Sequence, residues 1–270
     1  FYQNLTKDIV RTKNRLHKVL QVTFPEMENI LSTPTREQYW NLVMTFPYKD
    51  FVLELSKDEL LEGIRQSTSK RISDKRVAYL AQKLAALANQ SYCAVKKNSP
   101  ILEEVRYYAK ELLRLSEQRQ AVLEQMVELA QPLPEYEILL SIPGIAETTA
   151  TSMIGELEDI RRFQSANQIN AFIGIDLRHY ESGNFLAKEH ITKRGNPYAR
   201  KILFKCIHNI AAASHTNHCH IEDFYEKRKR QSQTTSTKPH TIASIHRLIQ
   251  TMYYLITHNK LYDYTSTQNR

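Results

Sequence analysis

The sequence predicts a mainly α-helical protein, in which a long coiled-coil-like helix region is followed by a compact helical domain containing a helix-hairpin-helix. Three stretches carry this reading. Residues 1–30 place Leu5, Ile9, Val10, Leu16, Val19, Leu20 and Val22 at roughly helical spacing among Lys7, Arg11, Lys13, Arg15 and Lys18, an amphipathic helix with a basic outer face. Residues 101–130 repeat apolar side chains at alternating steps of three and four, the seam of a coiled coil. Residues 138–157 read ILLSIPGIAETTATSMIGEL, two apolar helical segments joined by a Pro-Gly turn.

The first helix stops at Thr23-Phe24-Pro25, since the residue before a proline leaves helical geometry. It begins abruptly and finds no cover for its apolar stripe in the next few residues, so the reading takes it as the last helix of a domain whose body lies elsewhere. Ser32-Thr33-Pro34 opens a short helix through Trp40 and Val43. Ser56 and Glu59 form a capping box ahead of Leu60, Leu61 and Ile64. Asp74 is expected to cap the next helix, which carries Val77, Leu80, Leu84 and Leu87 to about Asn89.

The seam of the long helix is Val105, Tyr108, Leu112, Leu115, Arg119, Val122, Met126 and Leu129. It suits a dimerisation or spacing arm, or an ordinary core helix. Pro132 and Pro134 end it and mark a domain boundary. Beyond Ile142-Pro143-Gly144-Ile145, Gly144 allows the backbone close to a ligand and the following helix offers free N–H groups to a phosphate. Such hairpins grip nucleic-acid backbones without reading sequence; a plain turn between packed helices is the alternative. Ser165 caps a helix to about Phe172. Pro197 begins another, and residues 240–258 form the last. Between them Lys227-Arg228-Lys229-Arg230 is a basic run leading into a Ser/Thr-rich linker.

The 37 Lys+Arg against 29 Asp+Glu give a formal charge of +8, which favours an anionic partner, nucleic acid first. Six glycines and the absence of GxxxxGK[ST] and GxGxxG argue against a nucleotide loop. Cys93, Cys206 and Cys219 do not make a disulfide framework, which points to a reducing compartment. The cluster His215, His218, Cys219 and His220 lacks the spaced second pair of a zinc site, so no metal ligand is assigned. No apolar run is long enough to span a bilayer.

The chemistry concentrates in Tyr180–Lys205, YESGNFLAKEHITKRGNPYARKILFK. Ser182 precedes a glycine and is expected on a turn. Lys188, Lys193, Arg194, Arg200, Lys201 and Lys205 follow, with Gly195-Asn196-Pro197 launching a helix. Cations that hold a phosphodiester beside a hydroxyl that could attack it suit phosphoryl transfer. Turn chemistry beside a solvated basic face is the bland alternative.

Residues 138–258 together resemble the C-terminal domain of the DEDD-type insertion-sequence transposases, the relatives of the pilin-gene invertase that include the bridge-RNA-guided recombinases. The resemblance rests on Ser141-Ile142-Pro143-Gly144-Ile145, Arg162-Phe163, Ala171 to Asp176 (AFIGID), Glu181-Ser182-Gly183, Ile191 to Pro197 (ITKRGNP) with Arg200, and His246-Arg247-Leu248. Ala146 stands where relatives often carry another glycine, and Glu181 where Gln is common.

The resemblance implies that Ser182 is a nucleophile joining covalently to DNA and that Lys193, Arg194 and Arg200 hold phosphates; Gly144, Ile145, Lys188, Asn196 and Lys201 are the further candidates for holding nucleic acid. It implies Mg2+ bound by four acidic residues of an RNase-H-like domain, none of them assigned in this sequence. It also implies a DNA partner with or without a structured guide RNA, a homo-oligomer formed through the long helix, and a bacterial or archaeal cytoplasmic, nucleoid-associated location. The expected organisation is 1–47 as the end of the RNase-H-like domain and a linker, 48–131 as the helical coiled-coil region, and 132–270 as the serine-bearing domain. A non-catalytic nucleic-acid-binding remnant is the second reading, and a coiled-coil interaction protein the third.

Overall fold

A computed structural model describes residues 1–33, 37–178, 181–182, 185–186, 190–233 and 235–265, with 178, 181–182 and 185–186 described by backbone alone. Twelve α-helices and four two-residue strands lie among them, so the protein is mainly α. The chain divides into two compact units, residues 1–123 and 124–270. The division falls inside a helix, upstream of the Pro132–Pro134 boundary that the sequence suggests. No helix among the described residues is long and apolar enough to cross a membrane.

The first unit contains α1 (Tyr2–Thr23), a 3-10 turn (Pro25–Asn29), α2 (Glu37–Thr45), α3 (Asp50–Leu53), α4 (Lys57–Gln66), α5 (Asp74–Gln90) and the greater part of α6 (Ile101–Ala130). Leu5, Ile9, Thr12, Leu16, Leu20 and Thr23 of α1 are buried, a stripe at helical period that leaves Val10 outside. This stripe joins Met27, Trp40, Val77, Leu84, Val105 and Leu112 in one core. The cover that local reading did not find therefore comes from residues up to a hundred positions away. Each fully buried Leu or Ile in such a core contributes about 1.5–3 kcal/mol.

The capping box at α4 forms as the sequence predicts, with Ser56 Oγ accepting from the Glu59 N–H and Glu59 returning a carboxylate to the Ser56 N–H. Ser73, not Asp74, is the cap of α5, because its hydroxyl reaches the Arg76 N–H while Asp74 occupies the first helical position. The start expected at Ser32-Thr33-Pro34 extends into Pro34, which lies outside the described residues. In α6 the N-terminal part of the seam packs as core: Val105, Leu112 and Leu115 are buried in the unit together with Ala109, and Tyr108 and Val122 pack partly buried against it. Farther along, Leu129 is 77% exposed.

The second unit contains α7 (Pro134–Leu140), α8 (Glu147–Leu157), a 3-10 turn (Ile160–Arg162), α9 (Ala166–Ile173), strands β1 (Leu177–Arg178), β2 (Glu181–Ser182), β3 (Phe185–Leu186) and β4 (His190–Ile191), then α10 (Pro197–Ala213), α11 (His220–Gln231) and α12 (Lys238–Thr257). The last helix is central. It packs on α7, α9, α10 and α11, burying Ile245, Leu248, Ile249, Met252, Leu255 and Ile256. Glu135 of α7 is largely buried and is held by the Arg161 guanidinium, which also reaches the Ile256 carbonyl. That network ties the hairpin, the 3-10 turn and α12 together. A terminal strap completes the unit: the Tyr262 N–H donates to Ser141 Oγ (2.8 Å), and the Tyr262 ring stacks on His220.

Candidate nucleic-acid interface

The candidate site is a pair of short antiparallel β-ribbons, here called the β-arm, between α9 and α10. α9 ends at Gly174 in left-handed conformation, φ +72°, the glycine stop that an extended continuation requires. The chain then leaves along β1, returns along β4, and enters α10 at Asn196. β1 and β4 are antiparallel, with Leu177 opposite Ile191 and Arg178 opposite His190. Farther out β2 pairs with β3, placing Glu181 opposite Leu186 and Ser182 opposite Phe185. Ser182 thus lies on a strand at the last paired position of the arm, where the sequence predicts a turn. The expected mostly helical domain still holds; the arm is too short, and its alternation too brief, to register as a strand pattern.

The foot of the arm is a clamp built from the ITKRGNP segment. The Thr192 N–H donates to the Asp176 carbonyl (2.9 Å), and its hydroxyl to the Asp176 carboxylate (2.6 Å). The Lys193 N–H donates to the Gly174 carbonyl and the Asn196 N–H to the Phe172 carbonyl. Gly174 and Gly195 both have positive φ, and a Cβ on either would collide with the opposite backbone, Arg194 for the first and Phe172 for the second. These two glycines let the segments touch without intervening side chains. Lys193 also takes a positive φ of 54°, an unusual state for a branchless cation that projects it from a tight turn.

Helix α10 starts where the clamp ends. The Asn196 carboxamide oxygen accepts from the Tyr198 and Ala199 N–H groups, and its nitrogen donates to Glu156 of α8. Pro197 supplies a first helical position with no N–H to satisfy. Arg200 donates to the Ile173 carbonyl at 2.6 Å, joining α10 to the C-terminus of α9. From α12, His246 is hydrogen-bonded to the Ile175 backbone at the same foot, and burial lowers its pKa from the ordinary value.

The predicted residues fall into two groups. Lys193, Arg194 and Lys201 are exposed around the clamp and the first turn of α10. Asn196 and Arg200 lie beside them with their polar groups engaged in the protein's own bonds. Gly144 and Ile145 lie on the turn between α7 and α8, and there the close backbone approach is to α10: a Cβ on Gly144 would stand 2.6 Å from the Ile210 Cα. Ile145 is buried and its N–H donates to the Ile142 carbonyl. Lys188, Tyr180 and Gly183 lie outside the described residues.

Sequence reasoning missed Asp176, Glu156 and the foot contact of His246. Each interacts with a segment far along the chain, and no local pattern announces them. The His/Cys cluster resolves into packing: His220 shares its ring nitrogens with Tyr262 and Thr251, His218 stacks on Tyr264, and Cys219 is buried. Burial pushes the Cys206 thiol up to about 12, far from a reactive thiolate.

The model of the Transposase IS116/IS110/IS902 family matches residues 136–226, from the hairpin through the arm and into α11. These residues are therefore similar to a transposase domain of that insertion-sequence family. A transposase for insertion sequence element IS1111A from Coxiella burnetii is 35% identical over 80 residues, covering 30% of this chain and 22% of that protein. A transposase for element IS1328 from Yersinia enterocolitica is 29% identical over 107 residues, covering 37% of this chain and 32% of that protein. A 43.6 kDa protein of insertion element IS110 from Streptomyces coelicolor is 22% identical over 240 residues, covering 87% of this chain and 56% of that protein. The chain thus spans about half the length, or less, of these relatives. The matched segment includes strands β1 to β4 and the clamp.

Proposed function

We propose that this chain is the serine-bearing half of an insertion-sequence DNA transposase, and that the β-arm presents Ser182 to a DNA phosphodiester. The observation that carries the reading is the coincidence of the family match with the arm: the one hydroxyl that the resemblance marks as nucleophilic sits on a short ribbon anchored by two interlocked glycines and a carboxylate–threonine bond. A nucleophile needs such fixed placement, because misplacement by an ångström forfeits much of the gain from proximity.

In the proposed step Ser182 Oγ attacks phosphorus in line with the leaving sugar oxygen. One P–O bond forms to the serine and one breaks to the sugar. The serine proton is lost to solvent or a base, and the departing sugar oxygen is protonated. The phosphoserine diester retains the energy of the broken linkage, so a second sugar hydroxyl can displace the serine and seal a new junction. Lys193, Arg194 and Lys201 supply exposed positive charge for the pentavalent phosphate, and Arg200 steadies α10 beneath them. Among the described residues no three His, Cys, Asp or Glu side chains come together as a metal ion needs, so no step is routed through one. Mg2+ held by an acidic domain, a guide RNA and assembly of several copies belong to the same proposal for the whole transposase.

The test is Ser182→Ala in protein that carries both catalytic halves. Binding to DNA, read as the fall of log K with log salt, should persist within about twofold, since a hydroxyl contributes little beside phosphate–cation contacts. The covalent protein–DNA adduct should disappear. An adduct that survives the substitution excludes Ser182 as nucleophile. Binding with no adduct even in the unsubstituted protein supports the binding-only reading.

A further inference from the structure

The basic run at the end of α11 is not part of the arm. Lys227, Arg228, Lys229 and Arg230 close that helix, where cations are favoured by the helix dipole. The dipole accounts for the three positive charges on the last turn, Arg228, Lys229 and Arg230, but not for Arg247, which sits mid-way along α12. The two helices nevertheless bring their arginines to one ring: the Arg228 guanidinium lies 5.7 Å and the Arg247 guanidinium 5.0 Å from the Phe224 centroid. Phe224, Lys227 and Arg228 share a face of α11 through their three- and four-residue spacing.

The local carboxylates do not neutralise this face. Neither α10 nor α12 contains an Asp or Glu. In α11, Glu226 is paired with Lys229, Asp223 accepts from the Tyr264 hydroxyl, and Glu222 interacts electrostatically with Arg230 and His218. Among the described residues neither Arg228 nor Arg247 has a carboxylate partner, and both are exposed, as is Lys227. Bringing two guanidiniums together without an anion costs electrostatic energy that each cation–π contact only partly offsets. Planar forks held in place by an aromatic ring are preorganised for phosphate oxygens.

We infer that Phe224, Lys227, Arg228 and Arg247 form a second phosphate-binding surface, separate from the arm, which holds the backbone of a DNA or RNA strand. His246, the neighbour of Arg247, touches the foot of the arm, so α12 links this surface to the segment that positions Ser182. The inference rests on reading the unit as a nucleic-acid-binding transposase domain.

The test is binding of the full chain to labelled duplex DNA, single-stranded DNA and single-stranded RNA of one unrelated sequence, across a salt series. Arg228→Gln/Arg247→Gln should lower the magnitude of the log K–log salt slope by about 2, and Lys227→Gln by about 1, with thermal melting unchanged. The substrate showing the larger loss identifies the strand that is held. Lys193→Gln/Arg194→Gln serves as the arm comparison. A slope lowered by the arm substitutions and untouched by those at Arg228, Arg247 and Lys227 overturns the second surface and leaves the transposase reading standing. Absence of salt-dependent binding in the unsubstituted chain removes both. Should the double substitution unfold the chain, exposed Lys227 carries the decision alone.

Discussion

At Gly144 the backbone takes φ +84°, and the space a side chain would fill belongs to the α10 backbone. Both facts oppose any other residue, since the left-handed region strains L-amino acids and the clash is with main chain, which cannot turn aside. Gly144→Ala should cost about 3 kcal/mol, read as a lower urea midpoint with unchanged slope. A loss confined to nucleic-acid affinity, with stability intact, would return Gly144 to the role of ligand contact that the sequence alone suggests. The Pro-Gly pair was legible as a turn. What presses on it was not, because Ile210 is more than sixty residues away in the chain.

At the scale of elements, the long helices were legible and the arm was not. α6 follows its predicted limits of 101 and 130 because thirty residues of apolar periodicity bounded by Ser99-Pro100 and Pro132 leave little choice. Its partner was undetermined: a seam of threes and fours suits another helix of the same kind or a core, and burial of Val105, Leu112 and Leu115 shows the core taking them. The β-arm escaped because two-residue strands carry no period. Its anchoring makes a direct prediction. Thr192→Val removes the hydroxyl donated to the Asp176 carboxylate and should weaken the clamp by about 1.4 kcal/mol. Amide exchange of Lys193 and Asn196, whose N–H groups bond to α9 carbonyls, should then quicken about tenfold. Unchanged protection would mean that the glycine contacts alone hold the foot.

At the scale of the whole molecule, charge and two half-buried histidines tie stability to pH. Burial lowers the pKa of both His220 and His246 from the ordinary 6.5, with Arg247 adding to the effect at His220. Below that value the unfolded chain binds protons that the folded second unit resists, so stability falls as pH drops from 7 toward 5. His246→Gln should flatten that decline in a pH series of thermal melts; an unaltered profile would place the acid sensitivity elsewhere. The positive balance of the sequence pointed to nucleic acid. Its distribution into an arm foot and an α11–α12 face depended on helix packing that composition does not encode.

The central claim is that Ser182, held at the end of the clamped arm, becomes joined to DNA. The most direct measurement is mass spectrometry of peptides from the protein–DNA adduct after nuclease trimming, in protein carrying both catalytic halves. The account predicts a residual nucleotide joined through phosphate to the peptide containing Ser182, and its absence in Ser182→Ala. A nucleotide on any other residue, or strand exchange that proceeds with no adduct at all, would contradict it.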